Sequence, residues 1–299
     1  MRLLGSIGSG DAGTLEGAQP ASPTRGTFRW LAQFDAVTKV AGAVVFLLVA
    51  VAIFGPLIAP HDPDAVDQIH VYASSSSAHL LGTDEVGRDI LSRLIYGARP
   101  SLFGPAMIVA IAVLLGGMLA VVAAWFGGWI DAVISRAMDI LFAFPGLILA
   151  IAAVAIFGPG LVAPVIALAI AYTPYIARVL RSAAVRERRL PYIETSWVQG
   201  ASVRRIWGGH LIPNLLPLMF VQASISFGFA LLDLAAISFL GLGVQPPKSE
   251  WGLMVANGQP GILAGHPQQS LYAGITVLIA VVAFNVLGER LSRRLLGTS

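Results

Sequence analysis

The chain has 299 residues, 56% of them hydrophobic and only 12% charged, against about 45–50% apolar and about 25% charged in ordinary soluble domains. That balance excludes a soluble cytosolic enzyme, a disordered chain and a fibre, because too little charge is present to cover a soluble surface of this size. The net charge of +3 gives no support to nucleic-acid binding, and the absence of cysteine removes disulfides, thiolate metal sites and cysteine nucleophiles.

The first 36 residues are rich in Gly, Ser, Thr and Pro and read as a flexible tail. The first apolar run, residues 39–58, starts too far from the N-terminus for a cleaved secretory signal and reads as a retained span. Crossing a bilayer core takes roughly 20 mostly apolar helical residues, and five further stretches satisfy this: 101–126, 137–157, 161–180, 215–240 and 271–291. The loop 60–100 is acidic, with Asp62, Asp64, Asp67, Asp84, Glu85 and Asp89. Within it, Thr83 is a suitable N-cap, with Asp84 and Glu85 in a first helical turn. Ile90, Leu91, Leu94 and Ile95 make an apolar stripe, and Asp89 and Arg93 are spaced as an i,i+4 ion pair. These features predict an interfacial helix leading into span two. Pro145 in span three and Pro174 in span four predict kinks.

The segment 191–213, PYIETSWVQGASVRRIWGGHLIP, reads as two short helices. Pro191 suits a first turn, Gly200 a stop, and Ser202 an N-cap for the second helix. Ile193 and Trp197, then Val203, Ile206 and Trp207, recur at helical spacing on one face. Such an element can rest on the membrane and present its polar side to a soluble partner; an interfacial loop that simply concentrates cations is the other reading. In span five Asp233 is an ionisable group in an apolar helix and so a candidate for the path of a transported solute, as are Gln222, Ser224, Ser226 and, in span six, Asn285. A hydrogen bond between helices is the competing role for each. In the loop 241–270, Pro246 and Pro247 stiffen the chain and Trp251 is expected at the headgroup level. Of the 19 Lys and Arg residues, only Arg88, Arg93, Arg99 and Lys248 fall outside if both termini are cytoplasmic, and the positive-inside distribution selects that orientation. The expected architecture is an all-α, multi-pass plasma-membrane protein of about six transmembrane helices. Its domains are the tail 1–36 and a transmembrane domain 37–296, with an outer scaffold loop 60–100, a cytoplasmic loop 181–213 and an outer loop 241–270.

Four blocks carry a resemblance. Glu194, Thr195 and Ser196, then Gly200, Ile206 and the Leu211, Ile212, Pro213 run resemble the EAA loop of ABC-importer permeases, with Thr195 and Ser196 in place of the usual alanines. Residues 81–102, LGTDEVGRDILSRLIYGARPSL, residues 238–254, SFLGLGVQPPKSEWGLM, and Phe284 to Gly288 resemble blocks of the C-type permeases of dipeptide and oligopeptide importers. The similarity covers residues 37–296. It implies the type I ABC-importer permease fold, a coupling loop formed by Glu194, Thr195, Ser196, Trp197, Gly200, Ile206 and Pro213, and an outer scaffold and binding-protein docking region at Thr83, Asp84, Gly87, Arg88, Asp89, Pro246, Pro247 and Trp251. The family often carries an acid one position after Asp233, where Leu234 stands.

The implied partners are a second homologous permease, two cytoplasmic ATPase subunits or one fused ATPase, an extracellular substrate-binding protein or lipoprotein, a peptide substrate and membrane lipid. No phosphate-cradling GxxxxGK[ST], HExxH or GxSxG pattern occurs, so the chain is expected to hold no cofactor of its own and ATP and Mg2+ are assigned to partner subunits. His61, His70, His79, His210 and His266 share no helical ligand spacing, which argues against a metal site. Alternatives are a permease for nickel or another small solute, a secondary transporter, and a non-transporting membrane scaffold.

Overall fold

The structure is a computed structural model in which residues 35–295 are described; the expected tail falls outside them apart from its last two residues. Eleven helices and short turns make up the described residues, which contain no strand beyond one isolated bridge between Thr83 and Asp89. Helix α1 is Ala36–Ile58, α2 Ile90–Phe126, α3 Gly128–Phe142, α4 Gly146–Phe157 and α5 Val162–Arg188. Then come α6 Pro191–Val198, α7 Val203–Ile206, α8 Ile212–Phe239, α9 Trp251–Asn257, α10 Gln259–Leu263 and α11 Gln268–Leu295. Helices α1, α2, α5, α8 and α11 are each long and apolar enough to cross a membrane, and α3 with α4 makes the sixth candidate.

That sixth candidate is broken. Helices α3 and α4 meet at 80°, where a simple kink was expected. Pro145 has no N–H to continue the ladder and disfavours a helical residue before it, and its own ψ of 127° leaves the helix, so the chain restarts at Gly146. At Pro174 the opposite holds: α5 continues through the proline.

Helix α2 is the longest single element. It begins at Ile90, eleven residues before the expected span, and runs through Pro100 and Pro105. The separate interfacial helix is therefore the first third of a rod about 55 Å long, well beyond a hydrocarbon core of about 30 Å. Its N-cap is Asp89, whose carboxylate accepts from the Ser92 N–H, and not Thr83. Helix α2 packs along α5, α8 and α1, while α11 closes the bundle against α8, α1 and α9. At Gly116 a methyl group would stand 3.0 Å from the Ala177 nitrogen and 3.1 Å from the Thr173 carbonyl of α5. Only a residue without a side chain permits that backbone approach, the usual way helices pack in lipid. Along α1, by contrast, Phe46, Leu47, Ile53 and Leu57 are exposed, which leaves this helix mostly to lipid or to a neighbouring chain.

Candidate functional site

Three groups of residues stand out, and the first is the α6–α7 element. Helix α6 begins with Pro191 in its first turn. It ends on a paired C-terminal motif in which the Ala201 N–H reaches the Ser196 carbonyl (3.1 Å) and the Gly200 N–H reaches Trp197 (3.0 Å), with Gly200 at φ +81°. That left-handed residue is what a glycine C-cap supplies. Helix α7 differs from the expected free-standing helix. It passes through a π-turn, Trp207–Leu211, straight into α8, with the Ile212 N–H bonded to the Trp207 carbonyl. Pro213 lacks the N–H that an α-helical turn would use here, and the wider turn absorbs the gap. Ser202 occupies the N-cap position without making a side-chain cap bond.

Ile193 and Ile206 are buried with Val121, Ala124, Trp125 and Ala184, the apolar face anticipated from spacing. Trp197 and Trp207 meet Trp125 edge-on, with ring centroids 5.4 and 6.1 Å away. The Arg188 guanidinium lies over Trp125 and donates to the Ala124 carbonyl at 2.8 Å, so the end of α5 is tied to the end of α2. Glu194, Thr195, Val198, Gln199, Arg204 and Arg205 face outward. The hydroxyls of Thr195 and Ser196 turn back to the carbonyls of Pro191 and Tyr192, both at 2.8 Å, so they occupy the small-residue positions without offering free polar groups. At the base, Asn214 of α8 donates to Glu187 of α5 (2.6 Å) and to the Tyr192 oxygen of α6 (2.7 Å), and Tyr192 donates to Glu187. Burial, then the carboxylate beside it, holds the Tyr192 phenol above its ordinary pKa, so it stays a donor at neutral pH.

The second group lies within the bundle. An open cavity of about 430 Å³ is lined by Phe142, Ala171, Tyr172, Tyr175, Ile225, Ser226, Phe229 and Asp233. The Tyr172 hydroxyl donates to the Asp233 carboxylate at 2.9 Å. Asp233 and Ser226 are thus brought together two turns apart on one face of α8. Gln222 is buried one turn further along and does not reach this cavity. Asn285 is elsewhere: a methyl group on Gly228 would stand 2.4 Å from its amide oxygen, which puts it in the α8–α11 contact, as Ser224, hydrogen-bonded to the Phe220 carbonyl, stays within its own helix. Sequence reasoning missed Tyr172 as the partner of Asp233. The signal was available, since the polar Tyr172 and Thr173 interrupt an apolar run.

The third group organises the loops at the end of the bundle away from α6. Arg93 has no exposed surface. Its guanidinium donates to the Pro63 carbonyl at 2.9 Å and to Pro247 at 3.4 Å, and its Nε lies 3.6 Å from Asp84. The predicted Asp89–Arg93 pair does not form, because Asp89 is occupied as the α2 cap. Asp84 instead accepts from the Arg88 N–H (2.9 Å) and pairs with the Arg88 Nε (2.7 Å). Thr83 donates to the His70 carbonyl and accepts from the Ala73 N–H. Gly87, at φ +81°, leaves no room for a side chain against the Asp67 carbonyl. Thr83, Asp84, Arg88 and Asp89 are all buried and hold the loop, whereas Pro246, Pro247 and Lys248 are exposed. Trp251 is also buried, at 1% exposure. Its indole donates to the Leu94 carbonyl and its ring packs against Gly97, so it anchors loop to helix and not to headgroups. Glu250 caps α9 and accepts from Ser101 of α2. His61 and His79, scattered in sequence, come together beside Asp89.

Comparison with known proteins supplies the context. Residues 112–296 match the family described as binding-protein-dependent transport system inner membrane component, and residues 38–75 match the N-terminal transmembrane domain of oligopeptide transport permease C. The chain is 36% identical over 260 residues to a probable D,D-dipeptide transport system permease protein of Escherichia coli K12, covering 87% of each. It is 41% identical over 258 residues to a di/tripeptide transport system permease protein of Pseudomonas aeruginosa, covering 84% of this chain and 85% of that one. A glutathione transport system permease protein of Pectobacterium atrosepticum is 38% identical over 264 residues, covering 88% and 87%. Among solved structures, a chain of the inward-facing MetNI methionine ABC transporter superposes with a TM-score of 0.55 at 20% identity, covering 69% of this chain and 97% of that one.

Proposed function

The chain belongs to the inner-membrane components of binding-protein-dependent transport systems, and from that premise we propose that it is the permease subunit of an ATP-driven importer of di- or oligopeptides. It is a multi-pass membrane protein of a family that works with ATPase and substrate-binding partners. In our reading both termini and α6–α7 are cytoplasmic, and the loops around Arg93 and Trp251 are external. A second, homologous permease completes the pathway, and two ATPase subunits or one fused ATPase dock on α6–α7. This chain hydrolyses nothing itself.

One observation carries the mechanism. The α6–α7 element runs into α5 at one end and, through the π-turn, into α8 at the other. Helix α5 carries Tyr172 and α8 carries Ser226 and Asp233, which line the cavity. A motor that moves the exposed Glu194 and Arg204 face therefore turns the two helices that define the cavity walls. The Glu187, Tyr192 and Asn214 cluster keeps the element from pivoting independently of them. Rigid-body rocking of packed helices about such a lever is an established way of alternating access. Peptides vary in side chain, so a cavity with few fixed polar groups, here the Tyr172–Asp233 pair, suits binding through the shared backbone.

The test is copurification with the neighbouring gene products, followed by ATPase measurement in lipid. Stimulation by di- or oligopeptides with the binding protein present is the expected result. Stimulation by nickel alone would favour the nickel alternative over peptides, and recovery without any ATPase subunit would defeat the importer reading.

A further inference from the structure

We propose that His61, His79 and Asp89 form a binding site for a divalent transition-metal ion of the zinc type in the loop joining α1 to α2. The three residues come from separate parts of that loop: His61 just beyond α1, His79 midway, and Asp89 at the cap of α2. One donor atom from each lies within 4.8 Å of the other two. His79 Nδ1 is 3.0 Å from one Asp89 oxygen, and His61 Nδ1 is 3.8 Å from the other. A tetrahedral ion with bonds of about 2.1 Å separates its ligands by about 3.4 Å, inside the 4.8 Å that holds one donor atom of each residue, and each imidazole faces its own oxygen of the Asp89 carboxylate.

The surroundings match those of a metal ligand set. The Asp89 carboxylate is fixed by the Ser92 N–H at 2.8 Å and the Ser92 hydroxyl at 2.7 Å. The same hydroxyl accepts from the His61 backbone N–H at 3.0 Å, so one serine positions two of the three ligands, the kind of support that orients ligands around an ion. Exposure of the side chains falls from 41% at His61 to 16% at His79 and 2% at Asp89, which gives a graded path from solvent to the carboxylate. Two imidazoles and one carboxylate suit zinc-like ions, whereas calcium and magnesium demand oxygen ligands. The protein has no cysteine to compete for such an ion. With three protein ligands the fourth position belongs to water. An ion here would cross-link residues 61, 79 and 89 and so clasp the exit of α1 to the entry of α2.

The experiment uses the tag-free full-length chain in lipid nanodiscs, titrated with Zn2+ by calorimetry and against a chelating dye. The expected result is a single tight equivalent that raises the melting temperature, with X-ray absorption showing nitrogen and oxygen ligands at about 2.0–2.2 Å. His61→Ala removes a half-exposed ligand while sparing the His79–Asp89 hydrogen bond, and should weaken binding by at least about tenfold. His79→Ala should do the same where it folds; if it does not, His61→Ala decides. His266→Ala, which alters a ring stacked on Tyr72 and outside the cluster, should leave the affinity unchanged. Binding of Zn2+ that His61→Ala leaves intact, or no binding by the wild-type chain, overturns the proposal.

Discussion

Arg93 shows how one buried cation can organise a loop region. It is the meeting point of Pro63, Asp84 and Pro247, groups that lie far apart in sequence. Replacing it with Met removes the charge and keeps the bulk, but strands the carbonyls and weakens the hold on Asp84. Loss of one partner from a buried pair costs about 3–5 kcal/mol, so Arg93→Met should sharply lower the melting temperature of the purified protein. Glu85, nearby, has the opposite character. Burial raises its pKa above the usual carboxylate value, so ionisation destabilises the fold: stability is greatest below the unfolded-state pKa and is lost as pH rises through the folded one. Glu85→Gln should therefore melt higher than wild type at pH 8, the difference vanishing near pH 4. Thermal scans at the two pH values check the sign. Neither role is legible from the linear spacing of these residues, which suggested an Asp89–Arg93 pair; Asp89 is spent as the N-cap on the Ser92 N–H and hydroxyl, and Arg93 turns instead to Pro63, Pro247 and Asp84.

Elements behave more predictably than single side chains, with two instructive departures. The apolar face of α6–α7 came from the 3.6-residue repeat of Ile193, Val203 and Ile206, and burial agrees. The fusion of α7 with α8 did not, because Gly208, Gly209 and Pro213 signal a break in any reading based on local propensity. Packing of Leu211 and Leu215 into the same core overrides that signal. Gly200 has open space around it but a left-handed backbone, so a side chain there is penalised by conformation and not by collision within the chain. A β-branched residue in this region costs roughly 1–2 kcal/mol, whereas asparagine tolerates it. Gly200→Val should then depress peptide uptake far more than Gly200→Asn, with the bundle's melting temperature little changed in either. In the cavity, Tyr172→Phe removes one hydrogen bond to a carboxylate. Such a bond is worth about 1.5–3 kcal/mol, and uptake should fall on the order of tenfold while ATPase copurification is unaffected.

For the whole molecule, the orientation can be tested directly because no native cysteine interferes. Single cysteines at the exposed Lys248 and Gln199 should react oppositely with a membrane-impermeant maleimide added outside intact cells: Lys248→Cys labelled, Gln199→Cys protected until the membrane is permeabilised. The reverse pattern would invert the proposed topology. The candidate spans and the apolar face of α6–α7 are set by composition and periodicity, since hydrophobic length and helical repeat are properties of contiguous residues in lipid. Asp233 was conspicuous for the same reason: a carboxylate in an apolar run needs no structure to be noticed. What the tertiary structure alone decided is which distant groups share a place. The Tyr172–Asp233 pair, the Arg93 hub, the buried Trp251, and the convergence of His61, His79 and Asp89 all join residues separated by loops or whole helices. Only the closure of those loops and the packing of α2 against α5 and α8 determine such distances, and neither leaves a periodic trace in the chain.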